Sequence, residues 1–148
     1  SSSSAASDVY KRQGMCKGPA DMDDFRMKFD SLEEQQEDPD SIYNYVKQVI
    51  RVRNQNPVIA RGTTAYLEQY SGEQCFALTR SYEGSNLLLL GNTSAEAVSV
   101  DLTGLTVGGT TAEELVLLGE LYTGEETAER AGTVVTLPAY SILILGEE

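Results

Sequence analysis

Histidine and tryptophan are both absent from this chain of 148 residues. Without histidine, neither a Ser-His-Asp nor a Cys-His catalytic arrangement can be built, and the imidazole ligands of most catalytic zinc sites are missing. Tryptophan carries the largest aromatic ring that can stack on the apolar face of a sugar. Its absence disfavours a dedicated carbohydrate-binding module, although eight tyrosines leave sugar stacking open.

Basic residues, cysteines and long apolar runs are also scarce. The chain has 11 Lys and Arg against 23 Asp and Glu, a net charge of −12 that disfavours nucleic acid as a partner. Apolar runs such as those at residues 87–90 and 142–145 have the length of buried strands and fall far below the about 20 residues of a membrane span. Cys16 and Cys75 are too few for a disulfide framework, so we expect free thiols.

Residues 1–13 contain a serine-rich stretch with no apolar period, and the chain does not begin with Met. We interpret them as a non-native or disordered tail and expect the natural protein to begin further upstream. They also lack the apolar core of a secretory signal, which favours a cytoplasmic location. Residues 14–37 are rich in Gly, Asp and Gln and are predicted to form a loop-like segment.

One amphipathic helix is predicted after this segment. Asp38 is expected to cap its first turn, with Pro39 at the first helical position, and Pro57 prevents its continuation. Spacings of three and four residues predict an apolar stripe on one side of the helix, comprising Ile42, Val46, Val49, Ile50 and Arg53.

From Thr63 onward the apolar period changes to two, which is typical of strands. Turn signals recur every eight to twelve residues and predict seven or eight strands in a Greek-key β-sandwich. The fold class is therefore mainly β: an antiparallel sandwich preceded by one helix and a loop-like N-terminal segment. The predicted strands cover residues 64–70, 74–82, 87–92, 98–102, 115–122, 133–137 and 141–145.

The chain contains several candidate carboxylate sites. Adjacent acidic pairs at residues 113–114, 125–126 and 147–148 are expected to be solvated, because neighbours on a strand point to opposite faces. The cluster at residues 21–24 resembles the start of a calcium loop, but Phe25, Arg26 and Leu32 occupy positions that an EF-hand reserves for a ligand, a glycine and a glutamate. No metal or cofactor site is predicted.

Two further motifs each allow two interpretations. The triplet Asn92-Thr93-Ser94 fits the N-glycosylation pattern, and it could also simply end a strand. The three tyrosines of the predicted first hairpin could form a sugar-stacking patch, or they could be core and cross-strand partners: Tyr66, Tyr70 and Tyr82.

The helix and its surroundings resemble one part of the α-amylase family of glycoside hydrolases. In that family, an Asp-Pro-x-Ser start, a Tyr, an Ile-x-x-Arg core and an Asn-x-x-Pro with a nearby Arg-Gly lie where the last helix of the (β/α)8 barrel meets a C-terminal β-domain. The matching residues are Asp38, Pro39, Ser41, Tyr45, Ile50, Arg53, Asn54, Pro57, Arg61 and Gly62. The segment from Thr136 to Leu145 resembles the closing strand of the family.

This resemblance implies that residues 14–62 end a barrel and residues 63–148 form a C-terminal β-sandwich. It implies a retaining enzyme that hydrolyses α-glucosidic bonds of starch-derived glucans or maltodextrins, with the glucan bound through the barrel. The catalytic carboxylates stand at the ends of barrel strands and would lie upstream of this chain, which then contains no catalytic residue. The loop residues Asp23, Asp24 and Arg26 would line the rim of the substrate cleft.

An alternative is a self-standing β-sandwich that binds glycans or another protein without catalysis.

The residues between Pro57 and Gly62 bear on how the two predicted parts are joined. Val58 and Ile59 are apolar where an exposed linker is expected, which predicts a buried seam between the helix and the β-domain.

Overall fold

The computed structural model describes residues 30–147. Residues 30–34 belong to a separate N-terminal unit, and residues 35–147 lie in a second compact unit. The part of the chain described contains three α-helices: α1 (Leu32–Glu37), α2 (Ile42–Gln55) and α3 (Pro57–Arg61). None of the helices within it is long and apolar enough to cross a membrane.

Helix α1 occupies the end of the segment predicted to be a loop, so that prediction is wrong for Leu32–Glu37. A capping box explains the helix. The Ser31 amide donates to Glu34 Oε2 at 2.8 Å, and the Glu34 amide donates to Ser31 Oγ at 3.3 Å. These hydrogen bonds, the one from the backbone first, hold the pKa of Glu34 below its ordinary value.

Helix α2 begins three residues later than predicted. Its N-cap is Ser41, whose Oγ accepts a hydrogen bond from the Asn44 amide at 3.2 Å and donates to the Gln35 carbonyl at 2.5 Å. Asp38 does not cap the helix, because its carboxylate accepts instead from the Asp40 amide at 3.0 Å and closes a local turn that contains Pro39. The predicted cap was therefore wrong, and of the predicted stripe only Val49 packs on the sheet.

The predicted stop at Pro57 is confirmed, and a second helix begins there. Helix α2 ends at Gln55, and the Asn56 side chain donates to the Val52 carbonyl at 2.8 Å. Pro57 is the first residue of α3, a position where its missing N–H leaves no intrahelical hydrogen bond unmade.

The remainder is an antiparallel β-sandwich, as predicted. The described chain contains ten strands: β1 (Thr63–Tyr66), β2 (Cys75–Tyr82), β3 (Ser85–Asn92), β4 (Val98–Asp101), β5 (Thr106–Val107), β6 (Thr110–Thr111), β7 (Val116–Leu121), β8 (Glu129–Ala131), β9 (Val134–Leu137) and β10 (Ile142–Gly146).

The strands form three sheets. One has five strands in the order β1-β2-β3-β10-β7, the second has three in the order β4-β9-β8, and β5 pairs with β6. All the pairings are antiparallel. Strand β10 lies between β3 and β7 in the five-stranded sheet, although the strands of the second sheet come between β3 and β10 in the sequence. This return is the long connection of a Greek key.

Three local differences from the prediction have simple causes. Strand β1 ends at Tyr66, and a 3-10 turn at Glu68–Tyr70 lies within the predicted first strand. Residues 103–114, where no strand was predicted, contain the β5–β6 hairpin, whose turn places Gly108 and Gly109 at φ +61° and +95°, a backbone conformation that favours glycine. Strand β8 lies between the predicted strands at residues 115–122 and 133–137, where no strand was predicted.

The five-stranded sheet is covered on both faces. The first core fills the space between the two main sheets, and the second lies between the five-stranded sheet and the helices. Along β3, Leu88 and Leu90 enter the first core while Leu87 and Leu89 face the second. The same alternation on β10 explains why both strands have uninterrupted apolar sequences.

Candidate functional site

The cleft residues that the family resemblance implies, Asp23, Asp24 and Arg26, lie outside the described residues, so their role stays a prediction. Cys16 also lies outside them. Cys75 is a free, half-buried thiol that packs against the first core.

Glu147 is not exposed, whereas four other members of the acidic pairs are exposed, as expected: Glu113, Glu114, Glu125 and Glu126. Glu114 accepts hydrogen bonds from the Thr111 amide and hydroxyl at 3.3 and 2.8 Å, and Glu125 is exposed. Glu147 is half-buried and accepts from Asn86 Nδ2 at 3.3 Å and Thr110 Oγ1 at 3.1 Å, which joins the last strand to the β5–β6 hairpin. Residues 30–147 contain no group of three or more acidic or cysteine residues that could hold a metal ion.

Asn92 has a structural role at the end of β3. It is buried, and its Nδ2 donates to the carbonyls of Glu96 at 2.6 Å, Pro138 at 2.9 Å and Leu137 at 3.2 Å. Its Oδ1 accepts from the amide and hydroxyl of Ser94 at 2.9 and 2.8 Å. The amide nitrogen that a glycan would modify is thus enclosed by backbone, and the strand-end interpretation is the one the structure supports.

The tyrosines of the first hairpin do not form one stacking surface. Tyr70 packs against the first core and donates its hydroxyl to the Thr103 carbonyl at 3.1 Å. Tyr66 is exposed and pairs in register with Leu78, whereas Tyr82 pairs with Ser85. Because Leu78 and Tyr82 are four positions apart on one strand, about 13 Å separates the two tyrosines along the strand direction.

Helix α2 packs directly on the five-stranded sheet. Val52 is buried and lies over Gly119 of β7, while Tyr45 and Val49 pack on the same core. Gln48 Nε2 donates to the Glu120 carbonyl at 3.4 Å. These contacts fix the helix to the sheet through one side only.

Val58 and Ile59 of α3 contribute to the same core, where both are half-buried. Arg80 Nε donates to the Val58 carbonyl at 3.3 Å and Arg80 Nη1 donates to Thr64 Oγ1 at 2.5 Å. The connection between helix and sandwich is therefore packed against the sheet, as the apolar residues of the linker predict.

The apolar side chains of α2 form two rows on its surface, and of the predicted stripe only Val49 belongs to the row that faces the sheet, while Arg53 is exposed. Tyr45, Val49 and Val52 face the sheet, and a second row at intervals of four residues faces outward. Its members are 73%, 46% and 51% exposed: Ile42, Val46 and Ile50. We call these three side chains the exposed apolar face. The two rows are offset by about 90° around the helix axis.

This exposed apolar face lines an open groove together with Gln35, Tyr43 and Lys47. Its neighbours along the helix, Asn44 and Lys47, are polar. Asn44 is engaged with the turn before the helix, since its Nδ2 donates to the carbonyls of Asp38 at 2.7 Å and Gln35 at 3.0 Å. A helix that served only to cover the sheet would need one apolar stripe about 100° wide, and the second row lies beyond the part of α2 that the sheet covers.

A smaller groove lies where the start of α2 approaches the end of β7. We call it the tyrosine groove, and Ile42 of the exposed apolar face lies at its edge. Its lining residues are Pro39, Asp40, Ile42, Tyr45, Gln48, Tyr122 and Thr123. The Tyr122 hydroxyl donates to Glu120 Oε2 at 2.8 Å and accepts from the Ala128 amide at 2.9 Å. Burial, more than the neighbouring carboxylate, raises the pKa of Tyr122.

Sequence reasoning did not identify the tyrosine groove, because its residues lie about 80 positions apart and meet only through the packing of α2 on β7. One signal was available: Glu120 and Tyr122 are two positions apart in a predicted strand, so their side chains lie on the same face. This spacing places two polar groups on one face but does not show which element covers them.

No family model matches the chain, and no curated protein sequence matches it. Solved structures do match. Amy13B of Eubacterium rectale is 35% identical over 90% of this chain with a TM-score of 0.74, and the match covers 25% of Amy13B. The trehalulose synthase MutB of Pseudomonas mesoacidophila is 25% identical over 78% of the chain with a TM-score of 0.61.

An α-amylase from H. orenii shares the fold, with 23% identity over 81% of this chain and a TM-score of 0.62. The chain spans about a quarter of Amy13B, 23% of the H. orenii enzyme and 19% of MutB. These proteins are α-amylase family enzymes, and the match covers only part of each. The predicted resemblance of this chain to the α-amylase family of glycoside hydrolases is thereby confirmed.

Proposed function

We propose that this chain is the C-terminal portion of an α-amylase-like retaining glycoside hydrolase that acts on α-glucosidic bonds of starch-derived glucans or maltodextrins. The observation that carries the proposal is the match to Amy13B, which takes in nine-tenths of this chain and only a quarter of that enzyme. In this proposal the chemistry belongs to the part of the enzyme that the match leaves out.

We propose that residues 14–62 complete a barrel and residues 63–148 form the β-domain that supports it. The exposed apolar face supports this division, because Ile42, Val46 and Ile50 present a row of side chains that the sheet does not cover. Covering them against a barrel would remove apolar surface from water at roughly 25 cal/mol per Å². The sheet then holds one side of α2 and the barrel the other.

The proposed division of labour assigns no catalytic residue to this chain. A retaining glycosidase needs two carboxyl groups about 5–5.5 Å apart across the bond that is cleaved. Among the described residues, Glu113, Glu114, Glu125 and Glu126 are exposed, and Glu147 is half-buried and hydrogen-bonded to Asn86 and Thr110. Asp23, Asp24 and Arg26 are proposed to line the outer cleft of the whole enzyme.

The test is a chimera in which this chain replaces the matching quarter of Amy13B, assayed on a glucan that intact Amy13B hydrolyses. We expect turnover by the chimera and none by the purified chain at the same concentration. A chimera that folds and binds the glucan but shows no turnover would count against the proposal. Turnover by the chain alone that survives repurification would place catalytic residues within it.

A non-catalytic binding module is the alternative, and the exposed apolar face gives it one supporting observation, since such a face also suits a protein partner. The chimera separates the two functions. A module with no relation to a barrel should leave the chimera unfolded or inactive, whereas the proposed enzyme portion should restore it.

A further inference from the structure

We infer that the tyrosine groove binds one sugar ring of a neutral glucan, outside the catalytic cleft of the proposed enzyme. The inference names a second contact for the substrate class proposed above and rests on that proposal for the identity of the sugar. The groove encloses about 200 Å³. That volume is smaller than the about 300–1,000 Å³ of pockets for drug-sized ligands, so it suits one ring and not a long chain.

The aromatic side chains of the groove are held in place before any ligand arrives. Tyr122 is half-buried, and both of its hydroxyl hydrogen bonds go to groups on its own loop and strand, Ala128 and Glu120. Tyr45 is half-buried against the second core. A pyranose ring has an apolar face that packs on aromatic rings, and fixed rings lose little entropy when they bind.

The polar side chains of the groove match the hydroxyl groups of a sugar. Asp40 is exposed and offers two acceptor oxygens. Gln48 is exposed, and its amide offers donors and an acceptor beyond the single N–H that goes to the Glu120 carbonyl. Neighbouring sugar hydroxyls each donate and accept, so a carboxylate beside an amide can satisfy such a pair.

Charge selects among possible ligands. Asp40 follows Glu37 and Asp38, and the chain carries a net charge of −12, so an anionic ligand is repelled. Two tyrosines beside a carboxylate could also hold an ammonium group. The other polar members of the groove, Gln48 and Thr123, are uncharged donors and acceptors that suit the hydroxyl groups of a neutral polyol, and the test below includes a cation as the competing ligand.

The test is a titration of the isotope-labelled intact chain with maltotriose, followed by the amide and tyrosine signals in NMR spectra. We expect saturable shifts centred on Tyr45, Gln48, Tyr122 and Thr123, with a dissociation constant of about 1 mM. Asp40→Ala and Gln48→Ala, both at exposed positions, should weaken binding at least tenfold. Tyr66→Ala, which removes an exposed tyrosine elsewhere, should leave binding unchanged.

Sorbitol serves as the control ligand, because it has the hydroxyl groups of a sugar but no ring face. Equal shifts with sorbitol, shifts centred on Tyr66, or binding of lysine methyl ester in place of maltotriose would overturn the inference. Failure here is distinct from failure of the proposed function. An active chimera without shifts at the groove overturns the sugar site alone, and shifts with an inactive chimera support the site and overturn the enzymatic role.

Discussion

Val52 of α2 lies so close to Gly119 of β7 that a Cβ added to the glycine would be 2.9 Å from Val52 Cγ1. The missing side chain lets the helix approach the sheet at the centre of the second core, where Leu87, Leu121 and Ile144 surround Val52. This contact joins the helix, by resemblance the end of a barrel, to the β-sandwich.

The first prediction concerns this contact. Gly119→Ala should lower the free energy of unfolding by about 1–3 kcal/mol, because overpacking forces the helix or strand to shift. Urea denaturation measures the change. Gly124→Ala is the matched control, since nothing lies within 4 Å of the Cβ it adds. Equal stability of the two variants would show that α2 does not rest on Gly119.

The second prediction concerns cooperativity. The two cores share β3 and β10, so we expect α2 to open only when the whole sheet unfolds. The amide hydrogens of α2 should then exchange about as slowly as those of β3 and β10. Isolated helices of this length are marginal in water, so this protection must come from the sheet. Fast exchange throughout α2 alongside slow exchange in β3 would mean that the helix opens independently.

The third prediction concerns Asn92. Asn92→Asp removes the donors to three backbone carbonyls and places a charge among them, and we expect a loss of about 3 kcal/mol or more. Asn54→Asp changes an exposed asparagine and should alter stability by less than about 0.5 kcal/mol. Thermal unfolding measures the stability of both variants. A similarly small effect in both would show that the hydrogen bonds of Asn92 do not stabilise the fold.

The fourth prediction concerns pH. Hydrogen bonds from the Thr103 side chain, then from its backbone, and from the Thr133 hydroxyl hold the pKa of Asp101 below its ordinary value of 3.8. A lowered folded-state pKa contributes stability above the unfolded pKa, and this stability is lost as the pH falls through the folded value. Asp101→Asn should therefore cost stability near pH 7 and progressively less below pH 4.

Unfolding curves of Asp101→Asn at several pH values, each compared with the unaltered chain, measure this dependence. Thr133→Ala should raise the pKa of Asp101 in an NMR titration, because it removes one of the three hydrogen bonds. Thr127→Ala, at an exposed position, should leave that pKa unchanged. A stability difference between Asp101→Asn and the unaltered chain that did not vary with pH would contradict the assignment.

Periodicity and turn residues predict much of this fold. The uninterrupted apolar runs at residues 87–90 and 142–145 indicated buried strands, and such runs are typical of strands covered on both faces. The cap of α2 was misplaced because Asp38 and Ser41 are both good capping residues, and only the local turn decides between them. The two-residue strands β5 and β6 are too short for a period to show.

The candidate site was less accessible to sequence reasoning. The exposed apolar face could be predicted as part of a stripe, but its separation from Tyr45 and Val52 depends on how α2 is rotated on the sheet. The tyrosine groove depends on contacts between residues far apart in the chain. The cleft residues Asp23, Asp24 and Arg26 came from resemblance alone and stay a prediction.

The central claim is that the exposed apolar face of α2 packs against a barrel. Its most direct test is the melting temperature of the Amy13B chimera with and without Ile42→Gln, Val46→Gln and Ile50→Gln. Polar groups buried at that contact should lower the melting temperature of the chimera by about 5 °C or more, while the same substitutions leave the melting temperature of the chain alone nearly unchanged. Equal melting temperatures for the substituted and unsubstituted chimeras would contradict the claim.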